Sequence, residues 1–111
     1  MAKDKVNIIA GLFNAFNFET ITISTTAKSL TASKYTKSSG ETFTEYARKA
    51  LITVEDAQLR FRFDGGTPTA SVGHLLTQKD SITLIGAYNI KNFKAIRKGS
   101  SDSKISVTYQ F

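Results

Sequence analysis

The sequence predicts an all-β fold: a compact β-sandwich or jelly-roll-like domain of about eight short strands, preceded by an N-terminal arm or short helix. Apolar and polar residues alternate in short runs through residues 50–109. Period two is what a half-buried strand requires, because successive side chains point to opposite faces. Turn formers separate the runs, above all Asp64-Gly65-Gly66-Thr67-Pro68-Thr69 and the glycines at 73, 86 and 99. About eight strands at this spacing favour two packed sheets over one open sheet.

Residues 1–15 form the expected arm and residues 16–111 a single β-sandwich domain. In the arm, Ile8, Ile9, Leu12, Phe13 and Phe16 recur at helical spacing. Two readings stand: a segment packed on its own core, or an arm that docks onto a neighbouring subunit. Gly11 and the asparagines leave a helix here poorly stable by itself. Residues 16–24 read as a strand. The apolar residues move from positions 16 and 18 to 21 and 23, which predicts a bulge, or two differently packed halves, near Glu19–Thr20. A short strand is expected around Leu30, and residues 34–44, centred on Ser38-Ser39-Gly40, read as the best loop in the chain.

Glu41, Glu45 and Lys49 stand at i, i+4 spacing, so residues 41–50 allow one or two helical turns. From about Arg48 the alternation of Ala50, Ile52 and Val54 favours a strand. Residues 58–64 are the clearest strand, with Leu59, Phe61 and Phe63 on one face and Arg60, Arg62 and Asp64 on the other. The glycines that follow supply positive φ, and Pro68 bars a further ladder donor. Residues 71–76, 81–85, 92–97 and 104–111 complete the set. In the last of these, Ile105, Val107, Tyr109 and Phe111 share the inward face.

A chain of 111 residues is one domain, long enough for a modest two-layer core, and 41% hydrophobic residues argue against disorder. There is no tryptophan, so eight Phe and four Tyr must supply the bulk. There is no cysteine, which excludes disulfides and thiolate metal sites. The net charge of +6 favours an acidic partner, although the fifteen basic residues are scattered and most are expected to solvate outward faces. Residues 8–18 are too short and too polar for a membrane span of roughly 20 apolar residues. No clean apolar core with a small-residue cleavage site follows. The expectation is a soluble, unprocessed protein with no membrane partner.

No constellation reads as catalytic, and no cofactor or metal is expected. His74 is the only histidine, without the companion ligands or base partners that zinc or general-base chemistry needs. A structural histidine bonded to a loop backbone is the expectation. Glu55, Asp56, Asp64 and Asp80 include candidates for a glycosidase-type pair, but each sits where β-proteins put turn formers. Gly65-Gly66-Thr67 lacks the Lys-Ser/Thr ending and the following helix of a phosphate loop. Arg60 and Arg62, with Arg97 and Lys98, could line a sheet face for a phosphate backbone, with Tyr35, Tyr46, Tyr88 and Phe93 for stacking. No ribonucleoprotein-type motif accompanies them, so nucleic acid is not the expected partner; arginines paired across strands with Asp64 or Asp80, or contacting another subunit, are expected instead.

The run from Arg60-Phe-Arg-Phe-Asp-Gly-Gly-Thr-Pro-Thr to Val72-Gly-His-Leu-Leu76, then Asp80-Ser-Ile-Thr-Leu84, Phe93-Lys-Ala-Ile-Arg97 and Val107-Thr-Tyr109, resembles a group of small proteins encoded by tailed bacteriophages. The second half of the chain carries the likeness, and residues 18–35 follow it more loosely. Lys79 departs from the pattern, standing where a glycine is common before the aspartate, and residues 37–48 look like a lengthened loop. The resemblance implies a virion structural component and no catalytic residue.

The expected function is therefore binding alone: a capsid decoration or cementing protein on the outer surface of a phage head, gripping the major capsid protein or other virion proteins. A homo-oligomer is expected, with a trimer the favoured number. Ile8, Ile9, Leu12 and Phe13 of the arm, Tyr35 and Tyr46 of the loop, and Arg60 and Arg62 are the candidate contact residues. A head–tail junction, tail or baseplate component is the alternative within this class, and a basic nucleic-acid-binding module the alternative outside it.

Overall fold

The structure, a computed structural model, describes residues 14–39 and 43–111. Within them the chain forms ten strands and two short helices. The order is β1 (Ala15–Ile23), β2 (Lys28–Ser29), α1 (Ala32–Tyr35), β3 (Thr36–Ser39), β4 (Phe43–Tyr46), β5 (Lys49–Asp56), β6 (Leu59–Arg62), β7 (His74–Leu76), β8 (Ser81–Ile85), α2 (Ala87–Asn92), β9 (Lys94–Arg97) and β10 (Ser103–Gln110). Two four-stranded antiparallel sheets run β1-β10-β5-β8 and β2-β9-β6-β7, and β3 pairs only with β4. Setting that hairpin aside, the strand order in the sheets is 1-8-3-6 and 2-7-4-5, which is the winding of a jelly roll.

The alternation that predicts the strands also fills the space between the sheets. Ile21 and Ile23 of β1, Ala50, Ile52 and Val54 of β5, Leu84 of β8 and Ile105, Val107 and Tyr109 of β10 are buried from one side. Leu59 and Phe61 of β6, Leu76 of β7 and Ala95 of β9 meet them from the other, with Leu30, Ile90 and Phe93 closing the margins. Phe61 stacks on Phe93 with ring centroids 5.5 Å apart. Without tryptophan, this aromatic pair and Tyr109 carry much of the core volume.

Glu19, like Asn17, is a polar residue on the inward face of β1. Its carboxylate accepts from the buried Tyr109 hydroxyl at 2.5 Å, from the Thr31 hydroxyl at 2.6 Å and from the Thr31 backbone N–H at 3.2 Å. The middle of β1 and the end of β10 are thereby clasped to Thr31, just before α1. Burial and the adjacent carboxylate push the Tyr109 hydroxyl far above the usual phenol range.

Several expectations are corrected. The β1–β10 ladder is unbroken from Asn17 to Ile23, so no bulge occurs at Glu19–Thr20; the irregularity lies between Ala15 and Asn17. Even positions of β1 face outward and odd positions inward throughout. Phe16 and Phe18 are simply exposed, not part of a differently phased half. Residues 34–44 are not a plain loop, because Thr36–Ser39 and Phe43–Tyr46 pair as a hairpin, with Lys37 opposite Glu45. No helix forms from residue 43 to residue 50: Glu45 lies in β4 and Lys49 starts β5. The segment before β9 instead contains α2, which the sequence reading missed. The arm residues Ile8, Ile9, Leu12 and Phe13 lie outside the described residues.

Candidate interaction surface

The two ends of the jelly roll differ. At one end the connections are short turns, such as Thr77–Asp80, where the Asp80 carboxylate accepts from the Thr77 N–H at 2.8 Å and hydroxyl at 3.1 Å. At the other end lie the large connections: the α1 and β3–β4 insertion, helix α2 and the loop of residues 64–73. The Cβ position of Gly65 in that loop is 3.8 Å from the Asn92 side chain at the end of α2.

An open groove of about 580 Å³ lies between the insertion and α2. Ala32 and Tyr35 of α1 and Thr36 of β3 form one side, Tyr46 of β4 stands at the margin, and Ala87, Tyr88 and Lys91 of α2 form the other side. Tyr35 is half-buried and packs on the core, its ring centroid 6.2 Å from that of Tyr109. Its backbone carbonyl accepts from the Ala47 N–H at 2.9 Å, which fixes α1 against the base of the hairpin. Tyr46 is 53% exposed and Tyr88 75% exposed. Among the described residues the lining thus has one half-buried and two exposed tyrosines, one ammonium and no carboxylate. Such a lining suits rings or apolar side chains lying on the aromatic faces, with an anionic group beside Lys91.

Of the sequence candidates, Tyr35 and Tyr46 meet in this groove, joined by Tyr88 from 42 positions beyond Tyr46 in the chain (88 − 46). Arg60 and Arg62 do not. Both project from the outer side of β6 and hold the loop that follows. The Arg60 guanidinium donates to the Ala70 carbonyl at 3.1 Å and the Gly73 carbonyl at 2.9 Å. Arg62 forks onto Asp64 at 3.0 and 2.7 Å. Those bonds, together with a backbone bond from Gly66, hold the Asp64 carboxyl down at about 2. Pro68 is fully buried, and the Thr69 hydroxyl accepts from the Ser71 and Val72 N–H groups at 3.2 and 3.0 Å.

The Arg-x-Arg-x-Asp-Gly-Gly-x-Pro-Thr run therefore has a structural explanation at nearly every position: it folds residues 64–73 back onto β6. Gly73 completes the motif. Its φ is +135°, and a Cβ there would sit 3.0 Å from the Phe61 carbonyl oxygen.

Two further polar candidates, Glu55 and Arg97, are engaged locally. Glu55 accepts from the Ser106 hydroxyl, and Asp102 pairs with Arg97 at 2.6 Å. His74 is exposed, and its neighbours are rings rather than a loop backbone: Phe61 at 5.2 Å and Phe63 at 6.1 Å between centroids. Among the described residues no group of His, Asp and Glu is placed to hold a metal ion, and no helix is long and apolar enough to cross a membrane. Comparison with protein-family models, curated proteins and solved structures found no match.

Proposed function

We propose that this chain is a non-enzymatic structural protein of a tailed-phage particle, a decoration or cementing module that grips the capsid through its large-loop end. The observation that carries the reading is the convergence of Tyr35, Tyr46 and Tyr88 on one open groove where, among the described residues, Lys91 is the only charge. Exposed aromatic anchors in a concave site supply affinity, while surrounding cations orient an acidic partner. The occupant would be an apolar or proline-containing segment of a shell protein with a carboxylate near the Lys91 ammonium.

Two further features support binding over turnover. Glu19, Glu45, Glu55, Asp64, Asp80 and Asp102 each have a local bonding partner that belongs to a turn, a hairpin or a sheet. The jelly roll itself is a framework that viral shells and lectins share, a likeness of architecture that raises the reading without deciding it.

The test is retention on particles. Particles of the encoding phage that lack this protein are mixed with the purified chain and sedimented. The native chain should co-sediment, and the double variant Tyr46→Ala/Tyr88→Ala should stay in the supernatant while keeping the native thermal unfolding curve. Equal retention of both proteins removes the groove as the contact. Failure of the native chain to bind, and its absence from finished virions, removes the virion reading. Copy number separates the two placements, since hundreds per particle mean shell decoration and a ring-sized count means a junction.

A further inference from the structure

A sheet edge presents unpaired backbone groups, and natural β-proteins protect such edges by shortness, bulges, charges or cover. Three of the four sheet edges here carry such a device. β2 is two residues long and β7 three. β1 begins with an irregular register and carries the inward-pointing Glu19, tied to Thr31, while its Asn17 side chain donates to the Lys34 carbonyl at 2.9 Å. The separate hairpin places Lys37 and Glu45 on its two strands.

β8 has none of these. Ser81-Ile82-Thr83-Leu84-Ile85 is a five-residue strand without charge, proline or register shift, at the end of its sheet. Its free side can be specified. The Val54 N–H donates to the Asp80 carbonyl, and the Val54 carbonyl accepts from the Lys79 N–H, so Val54 turns its backbone groups towards β8. By alternation Ile52 and Ala50 do the same, and their partners in the register are Ile82 and Leu84. Ser81, Thr83 and Ile85 therefore direct their N–H and C=O groups away from the sheet. Among the described residues only the Ile85 carbonyl is met there, by the Asn89 side chain at 2.9 Å. Ile85 itself is 64% exposed.

We infer that β8 pairs with β8 of a second copy of this chain, antiparallel about a two-fold axis at Thr83. That register sets Thr83 against Thr83 and Ser81 against Ile85, and the alternating donors and acceptors are self-complementary in it, as a two-fold contact requires. Two four-stranded sheets become one of eight strands. No like charges face each other across the seam because the strand has none, which suits a second copy of a chain carrying +6. The contact gives a dimer, or joins larger assemblies in pairs, and does not by itself make the expected trimer. It is independent of which particle the protein belongs to.

The test combines mass and amide exchange on the full chain. Light scattering across a concentration series should show the 12.2 kDa chain doubling in mass. Hydrogen exchange at the amides of Ser81, Thr83 and Ile85 should slow as the dimer fills. Thr83→Pro removes an outward N–H and no bond to β5, and should return the mass to that of one chain with the native circular dichroism retained; Thr83→Val should leave the dimer intact. A monomer at all concentrations, a lone trimer, or exchange at Thr83 that is independent of concentration would overturn the inference. Protection of Thr83 in the monomer would do so too, since it would mean that the chain covers its own edge. If the proline variant does not fold, the exchange data on the native chain decide alone.

Discussion

The Arg60 guanidinium reaches across 13 residues to donate to the Gly73 carbonyl at 2.9 Å, and this bond holds the loop of residues 64–73 against the strand it leaves. The same side chain also takes the Ala70 carbonyl. Arg60→Ala removes two charge-assisted bonds and should cost about 1–3 kcal/mol. Arg60→Lys should recover only part of this, because an ammonium lacks the fork. Chemical denaturation measures the loss, and faster amide exchange confined to residues 64–73 would locate it.

Gly73→Ala tests the other partner of that bond. A left-handed φ combined with a 3.0 Å approach to the Phe61 carbonyl leaves no room for a methyl group. A loss of about 1–3 kcal/mol in thermal or denaturant unfolding is the expected result.

Lys79 offers the opposite change. Its φ is +76°, a conformation that an L side chain adopts at a cost of about 1–2 kcal/mol and glycine adopts freely. Part of the gain is lost to the greater freedom of glycine in the unfolded chain. Lys79→Gly should therefore stabilise the protein by about 0.5–1 kcal/mol, read as a rise in the midpoint of denaturation.

Asp64 and Tyr109 set the pH limits of two local structures. The Asp64 carboxyl titrates at about 2 in the folded chain against 3.8 without its partners. Its contribution is thus complete above about 4 and is lost as pH falls towards 2. A carbon-detected carboxyl titration should give that midpoint, and Arg62→Ala should move it back up.

The Tyr109 hydroxyl is shifted in the opposite sense, upward, by burial and by Glu19. Its contribution is present below the ordinary phenol value near 10 and falls as pH rises above it. Tyr109 phenolate absorbance should emerge only with unfolding, and Tyr109→Phe should remove that step.

The legible parts of the chain were those where one face is buried and the other wet. β6, β8 and β10 follow from alternation alone, and β8 was placed to the residue. The hairpin was not legible because Thr36–Ser39 and Phe43–Tyr46 border no continuous core and show no apolar alternation; the Lys37–Glu45 pair is the signal that marks it in hindsight. Helix α2 was hidden because only Ile90 among its six residues is buried. Tyr35 and Tyr46 lie close in the chain, but only the folded connections bring Tyr88 beside them. Pairing of the arginines with Asp64 is legible in the sequence and occurs at Arg62, whereas the bonds of Arg60 to the Ala70 and Gly73 carbonyls need the folded loop. The positive φ at Lys79 is a backbone angle that no composition argument supplies.

If the large-loop end of this jelly roll docks on a virion, as proposed, a side-chain-resolution reconstruction of the particle will show the sandwich on the outer shell with a segment of a capsid protein lying between Tyr46 and Tyr88. Particles with no such density, or a module that contacts the shell only by its short-turn end, would contradict the proposal.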